Sequence, residues 1–441
     1  MYNDSVLSQE NRPAGPEKRN VKVPRRALVI GGSMSGLFAA LALSRRGWDV
    51  RVFERVQDEL AGRGAGIVAQ PQLRAVFRAI GLDPDVELGV EVRTRRMFDR
   101  DGRIIGETDC PQTLTSWDRL YRLLRDAFPP QHYHRGAMLD HIEPRAHGVI
   151  AHFAGGASAT GEILVGADGL RSTVRQQFLP DLAPLYAGYV AWRALIAEAA
   201  IPAPVHRDLF AYMAFSLPPG EQILGYPVAG PNDDLRPGHR RYNLVWYRPA
   251  EENSELKEML TDGAGHVHEI SIPPPLVRHE VVDAMREAAA KLVPPQFQQI
   301  VRLAAQPFLQ PIYDLAAPHI AFGRVAILGD AAFVARPHVA AGVIKAAEDA
   351  LALASALDAT DDIEEALRCY ERERIGVGRR IIERARHLGA YLQAELRTSQ
   401  ERDFAARHRT VEAVMAETAV VDFLYRQQKP EIARSESPPD L

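Results

Sequence analysis

The stretch VIGGSMSGLFAA, residues 29–40, carries the residue types that hold a pyrophosphate. Such a loop wants glycine at three places: for a tight turn, for close approach of backbone to phosphate, and for helix–strand packing. Gly31 and Gly36 fill the first and third places, and Ser33 stands at the second. Serine is the next smallest polar residue, and its hydroxyl can donate to a phosphate oxygen. A helix entered through Met34 and Ser35 offers free N–H groups and a positive dipole end to an anion. Glu54 follows near the ~20-residue spacing of the acid that bonds a ribose hydroxyl. An acid there suits an unphosphorylated ribose, as in FAD or NAD. A strand–turn–helix corner without a ligand is the plainer alternative.

Two more stretches end an apolar run in glycine and an acid. LVGADGLRSTVRQQF, residues 164–178, reads as a strand, a loop with Asp168, and a helix capped by Ser172. RVAILGDAAFVARPHVAAGVIKAAEDALALASAL, residues 324–357, reads as a buried strand ending at Asp330, a proline loop, and a long Ala-rich helix.

Elements must place these corners. RALVI (26–30) and DVRVFER (49–55) read as strands flanking an Ala/Leu-rich helix closed by Gly47. Pro71 opens a helix carrying Leu73, Val76, Phe77 and Ile80, closed by Gly81. Trp117, Leu120, Tyr121 and Leu124 share another helical face. In YVAWRALI, residues 189–196, Val190, Trp192, Ala194 and Ile196 alternate with Tyr189, Ala191, Arg193 and Leu195 on the opposite face. QILGYPVAG and RYNLVWYRP are further strands between Gly/Pro/Asp turns. A helix continues over 363–396 with an apolar stripe of Ile381, Ala385, Leu388, Leu392 and Leu396. Gly376 and Gly378 are expected to break or kink it. The stripe packs on the chain's own core or, alternatively, forms the seam of a homodimer. Residues 403–428 form another amphipathic helix pattern.

Composition narrows the classes. The chain has 441 residues and a formal net charge of −4, with no clustered positive charge to mark a nucleic-acid partner. No apolar run reaches the ~18–20 residues of a membrane span, and no hydrophobic signal segment opens the chain. Cys110 and Cys369 form neither a C-x-x-C pair nor a metal spacing, which fits a reducing cytoplasm. The Pro-rich polar start and the end KPEIARSESPPDL read as disordered.

Taken together, the dinucleotide loop, the G-A-D-G-x-x-S-x-V-R segment and the G-D-A-A segment before a proline loop stand in the order found in one family. The chain resembles the group A flavin-dependent aromatic monooxygenases, the para-hydroxybenzoate hydroxylase-like family, over roughly residues 25–395. GGSMSGL, GAGIVAQPQL, YAGYVAWR, LVWY (244–247) and RPHVAAG resemble the pyridine-ring hydroxylases within it, which also carry GGS in place of GxG. Departures are Trp117 where many relatives carry an arginine that touches the flavin, Phe333 for His, Ala340 for Gly and Lys345 for Asn.

The resemblance implies an α/β fold: a Rossmann-like FAD-binding domain, a β-sheet substrate domain and C-terminal helices. The expected boundaries are a leader over 1–23; a discontinuous FAD-binding domain over 24–95, 116–182 and 286–360; a substrate domain over 96–115 and 183–285; helices over 361–428; and a tail over 429–441. It implies FAD held by Gly31, Ser33, Met34, Ser35 and Gly36 at the pyrophosphate, with Glu54 and Arg55 at the adenosine ribose. Gly64 and Gly66 run along the flavin, Asp168 shapes the groove shared with the nicotinamide donor, and Asp330 bonds the ribityl chain. N–H groups of Ala341 and Gly342 face the flavin N1–C2=O edge, a dipole term of ~0.3–2 kcal/mol. Asp168 and Asp330 as turn acids, and Arg55 as a surface charge, are the plainer alternatives.

NADH or NADPH would serve as transient donor without a Rossmann domain of its own. O2 would form a C4a-hydroperoxide that hydroxylates a small aromatic or heteroaromatic ring, a hydroxypyridine such as 2,6-dihydroxypyridine or else a phenolic or hydroxybenzoate-type ring. Pro337, His338 and Tyr226 are the candidate catalytic residues, His338 as hydrogen-bond partner or base with an ordinary pKa near ~6.5. His206 and Tyr212 are weaker candidates, and Arg193 as a salt-bridging residue is an alternative to substrate contact. A noncatalytic flavin-binding protein is the remaining reading.

Overall fold

Apolar strands buried on both faces are characteristic of a parallel sheet covered by helices. The computed structural model describes residues 25–60 and 66–425, and in it Arg26–Ile30, Asp49–Glu54, Ile163–Gly166 and Val325–Ile327 build such a sheet. Its order is Ala321–Phe322, Val325–Ile327, Ile163–Gly166, Arg26–Ile30, Asp49–Glu54, Tyr133–Arg135, and only the first pairing is antiparallel. The three glycine–acid corners therefore leave the carboxyl ends of three consecutive strands, with Glu54 ending the next. That is where open α/β sheets place their ligands. The Met34–Ser44 and Gly342–Ala359 helices pack together over these ends.

A second sheet of nine strands runs in the order Phe333–Val334, Phe308–Ala316, Leu185–Ala197, Arg241–Pro249, Gln222–Val228, Tyr212–Ser216, Val90–Phe98, Ile104–Ser116, Gly66–Ala69. The expected alternation in Leu185–Ala197 is present. Val190, Trp192, Ala194 and Ile196 enter one apolar cluster, with the His279–Leu292 and Pro295–Leu303 helices. Tyr189, Ala191 and Leu195 face a different cluster, toward the C-terminal segment.

Several boundaries differ from the sequence reading. Gly66–Ala69, residues 90–95 of Val90–Phe98, and Phe308–Ala316, expected in the flavin part, pair into the nine-stranded sheet, because chain neighbours follow hydrogen-bonded ladders rather than motif spacing. Gly376 and Gly378 do not break their helix, which runs unbroken over Ile363–Gly389. Gly378 is there because a Cβ would sit 2.5 Å from the Phe333 ring. Of the stripe, Ile381, Ala385 and Leu388 are buried in the chain's main core. The expected 403–428 helix is instead split into Ser399–His408 and Val411–Glu417, since Thr410 caps the second by accepting from Ala413 N–H at 3.1 Å. The expected leader, the tail, residues 426–428 and Gly64 lie outside the described residues. Among the described residues no helix is long and apolar enough to cross a membrane.

Candidate active site

The first corner is built by contact as much as by conformation. Gly31 has φ +107°, and a Cβ on it would lie 2.3 Å from the Ala167 carbonyl oxygen. A Cβ on Gly36 would lie 1.8 Å from the Gly31 carbonyl oxygen, so only glycine lets the helix settle on the turn. Ser33 is the N-cap residue of Met34–Ser44, yet its side chain makes no capping bond, and no acid stands in the first turn. The hydroxyl and the leading N–H groups are left for an anion. Glu54 is buried; its two oxygens accept from Gly32 N–H at 2.8 Å and Val56 N–H at 2.9 Å. These bonds fix the carboxylate beside the turn and leave each oxygen a second lone pair. Arg55 is exposed.

Asp168 props this corner from the neighbouring loop. It accepts from Ser172 Oγ at 2.5 Å and from Val174 N–H at 3.2 Å, and so organises the loop that meets Gly31. The plainer turn-acid reading describes these bonds.

In the third corner, Gly329 has φ +61° and faces Ser35, whose Oγ would lie 2.4 Å from an added Cβ. Asp330 lines the cleft beyond it, with Lys345 Nζ 3.8 Å from its carboxylate. Pro337–Val339 form a 3-10 turn, Ala340 takes the left-handed conformation, and the Gly342–Ala359 helix starts from Ala341. This helix also has neither a side-chain cap nor an acid in its first turn. Two uncapped helix N-termini thus meet one cleft.

That cleft, about 400 Å³, brings Ser33, Met34, Ser35, Gly66, Asp330 and the Ala335–Val343 loop under the nine-stranded sheet. Its roof presents Arg193, Met213, Leu224, Tyr226, Val245 and Tyr247. Trp117 and the C-terminal Thr418 and Ala419 close its sides. The edge strand at Gly66 is held to the inner strands of the same sheet: Gly66 N–H donates to Asn243 Oδ1 at 2.8 Å, and Arg193 donates to the Gly66 carbonyl at 3.2 Å. The missing Cβ of Gly66 is replaced by the Tyr226 ring and Asn243, so packing against the roof already requires this glycine. A larger cleft, about 790 Å³, lies between the Leu185–Gly188 segment and the C-terminal helices and holds none of the glycine–acid corners.

His338 is not a base of ordinary strength. It is 3% exposed, bonds Tyr189 Oη through Nε2 at 2.8 Å and packs on Tyr247. Burial, helped by the Arg336 guanidinium, pushes its pKa down to about 3, so it stays neutral. Burial pushes the Tyr226 hydroxyl up to about 12, partly offset by Arg193, so that phenol is a neutral donor. Arg193 is not a salt-bridging residue. Among the described residues it pairs with no carboxylate; it bonds Gln310 and Gly66, and its buried Nε has no partner. His206 pairs with Glu198 at 2.9 Å and Tyr212 lies under Arg96, both outside the cleft. Arg119, at the Trp117 helix, donates to the Glu87 and Asp233 carbonyls and does not enter the cleft.

Sequence reasoning left Arg193 between substrate contact and a salt bridge, noted Lys345 only as a departure from the family, and missed Asn243, Thr418 and the Arg336–Asp314 pair. Arg336 grips Asp314 with bonds of 2.8–3.2 Å and anchors the proline loop, and Asp314 also accepts from Arg386 Nε at 3.1 Å. The one available signal was Arg336 preceding Pro337; its partner lies in a strand remote in sequence.

Comparison with known proteins agrees with this geometry. A family model described as NAD(P)-binding Rossmann-like domain matches residues 29–82, and one described as FAD binding domain-like matches residues 186–314. The chain is 32% identical over 378 residues to 2,6-dihydroxypyridine 3-monooxygenase of Paenarthrobacter nicotinovorans, covering 83% of this chain and 91% of that protein. It is also 32% identical over 378 residues to 3-amino-4-hydroxybenzoate 2-monooxygenase of Streptomyces cremeus, covering 82% and 86%. The solved structure of 2,6-dihydroxypyridine-3-hydroxylase from Arthrobacter nicotinovorans superposes with a TM-score of 0.79 at 30% identity, covering 84% of this chain and 93% of that one.

Proposed function

Because the chain belongs to the FAD-dependent aromatic-ring monooxygenases, we propose that it hydroxylates a small electron-rich heteroaromatic ring, a hydroxypyridine such as 2,6-dihydroxypyridine, with O2 and NADH or NADPH. One observation carries this reading: a single cleft joins two uncapped helix N-termini to a guanidinium and two phenols beneath the sheet. A reducing cytoplasm is the proposed compartment, in keeping with the free Cys110 and Cys369.

The residues fit FAD. Gly31, Ser33, Met34, Ser35 and Gly36 would hold the pyrophosphate, since the Ser33 hydroxyl and the first-turn N–H groups have no side-chain cap. Glu54 and Arg55 would meet the adenosine ribose, Gly66 the flavin plane, and Asp330 the ribityl chain. The Ala341 and Gly342 N–H groups would face the electron-rich edge of the ring system. Bound FAD supplies hydride acceptance from NADH or NADPH and oxygen activation for transfer to an electron-rich ring.

The chain's own residues prepare the substrate. A dihydroxypyridine loses a proton readily, and its anion is the more nucleophilic ring. Arg193, with a buried unpartnered Nε, pairs with that negative charge. Tyr226 and Tyr247 donate to ring oxygens without competing for the proton. His338 and Pro337 shape the proline loop beside the ring, and the neutral imidazole holds Tyr189 in place. Trp117, Thr418 and Ala419 keep water from the reacting face. A phenolic or hydroxybenzoate-type ring is the second reading, because the same guanidinium would accept a carboxylate.

Stopped-flow reduction of the yellow protein by NADH and NADPH, across hydroxypyridines, phenols and hydroxybenzoates, separates the readings. A hydroxypyridine should accelerate flavin reduction and appear as hydroxylated product. Acceleration and product only with a benzoate would replace the first reading with the second. No stimulated oxidation with any ring would mark a noncatalytic flavin-binding protein.

A further inference from the structure

Lys345 lies in the second turn of the Gly342–Ala359 helix and has no part in the reading above. It is 1% exposed, and its ammonium has no hydrogen-bond partner among the described residues. An ammonium so placed loses several kcal/mol of hydration, which only a nearby negative charge repays. Asp349, one turn further on, is committed elsewhere: it accepts from Arg374 Nε at 2.8 Å and from Gly329 N–H at 3.3 Å. Arg374 also reaches Glu348 at 3.4 Å. Tyr370, on the same helix as Arg374, donates to the Ile327 carbonyl. Asp330 remains, its carboxylate 3.8 Å from Nζ and its side chain 54% exposed toward the cleft.

The charges facing Asp330 are therefore Lys345 and Asp349, and Asp349 is neutralised by Arg374. We propose that Lys345 is a positioning residue that keeps Asp330 ionised and aimed at the cofactor when bound FAD covers that carboxylate. The physical reason is desolvation. A carboxylate stripped of water with no cation nearby takes up a proton, and a protonated acid accepts fewer hydrogen bonds. Lys345 is already dehydrated within the fold, so it offers a counter-charge at the moment of binding without further hydration loss. Desolvation holds the Asp330 carboxyl above the usual carboxylate range; Lys345 opposes that rise and Asp349 adds to it. This inference rests on Asp330 facing the ribityl chain.

The test is FAD affinity of the stripped and reloaded protein, read by flavin fluorescence between pH 5.5 and 8.5, for wild type, Lys345→Met, Lys345→Gln, Lys345→Arg, Asp330→Asn and the double variant Lys345→Met/Asp330→Asn. Wild type should bind with a nearly pH-independent Kd. Lys345→Met and Lys345→Gln should bind about tenfold more weakly at high pH and regain affinity as pH falls, by up to tenfold per pH unit, because binding then takes up one proton. Lys345→Arg should restore the flat profile, and the double variant should lose the slope. A protonated-carboxyl infrared band should appear on loading Lys345→Met and be absent from the double variant. Flat profiles in both Lys345→Met and Lys345→Gln, with Asp330→Asn weakened, would overturn the role of Lys345 alone. Asp330→Asn binding FAD as tightly as wild type would overturn the ribityl assignment, and this inference with it.

Discussion

Ala340 holds φ 47° and ψ 32°, a left-handed conformation that costs an L-residue with a Cβ roughly 1–2 kcal/mol. It sits where the proline loop turns into the Gly342–Ala359 helix, and the strain is a local feature of the site. Ala340→Gly should raise the unfolding free energy by about 1 kcal/mol, measured by urea denaturation. No gain would mean that the methyl group's packing outweighs the strain. His338 gives a second expectation at this scale. Its folded pKa, about 3, lies below the ~6.5 of the unfolded chain. Between those values the unfolded chain holds the extra proton, so stability falls as pH falls through that window. The contribution approaches about 1.4 kcal/mol per pH unit below pH 6. Urea unfolding at pH 6.5 and 5.5 should show a smaller acid loss in His338→Gln, and an equal loss would place the imidazole's titration elsewhere. The identity of these residues was legible in the sequence, because Gly31, Gly36 and Pro337 act through local backbone geometry. The imidazole's weakness was not, because it comes from Tyr189, Tyr247 and Arg336 closing round it.

Elements were legible where period and punctuation agree. Arg26–Ile30 ends at the glycine that reverses the chain, and Gly81 closes Leu73–Ile80 with φ 83°. Leu185–Ala197 divides its side chains between two apolar clusters as alternation requires. Glycine was misread in Ile363–Gly389, because helix propensity describes an isolated helix and this one is packed. Gly376 and Gly378 make the contrast measurable. A Cβ at Gly376 meets only the end of the Arg380 side chain at 3.7 Å, so Gly376→Ala should stabilise by about 0.5–1 kcal/mol. A Cβ at Gly378 meets the buried Phe333 ring at 2.5 Å, and overpacking of about 1–3 kcal/mol should outweigh the propensity gain. Thermal unfolding of the two variants should move in opposite directions, and two parallel stabilisations would show that Phe333 yields freely.

At the scale of the whole molecule, the cleft is made by segments far apart in sequence, and that is why its chemistry was only half legible. The floor followed from three motifs, but the roof cation Arg193, the clamp at Asn243 and the closing segment at Thr418 depend on contacts between segments remote in sequence. The C-terminal segment is tied to the helices by Tyr425, which donates to Glu348 at 2.7 Å, and by Glu417, 3.6 Å from Arg384, and three bonds fix it beside the cleft. Ala419 N–H donates to the His338 carbonyl at 2.7 Å, Gln112 donates to the Ala419 carbonyl at 3.1 Å, and buried Arg95 donates to the Met415 carbonyl at 2.7 Å. None of these three bonds touches the Gly31–Gly36 corner; with FAD placed as proposed, the segment would guard the ring end of the cleft and not the cofactor's anchor. Water admitted there would divert activated oxygen from the ring. A chain ending at Arg409 should keep its FAD and its substrate-stimulated NAD(P)H oxidation, while the product formed per NAD(P)H falls and hydrogen peroxide rises to match. Unchanged coupling would show that the roof alone excludes water, and loss of FAD would show that the segment supports the whole cleft instead of sealing one end.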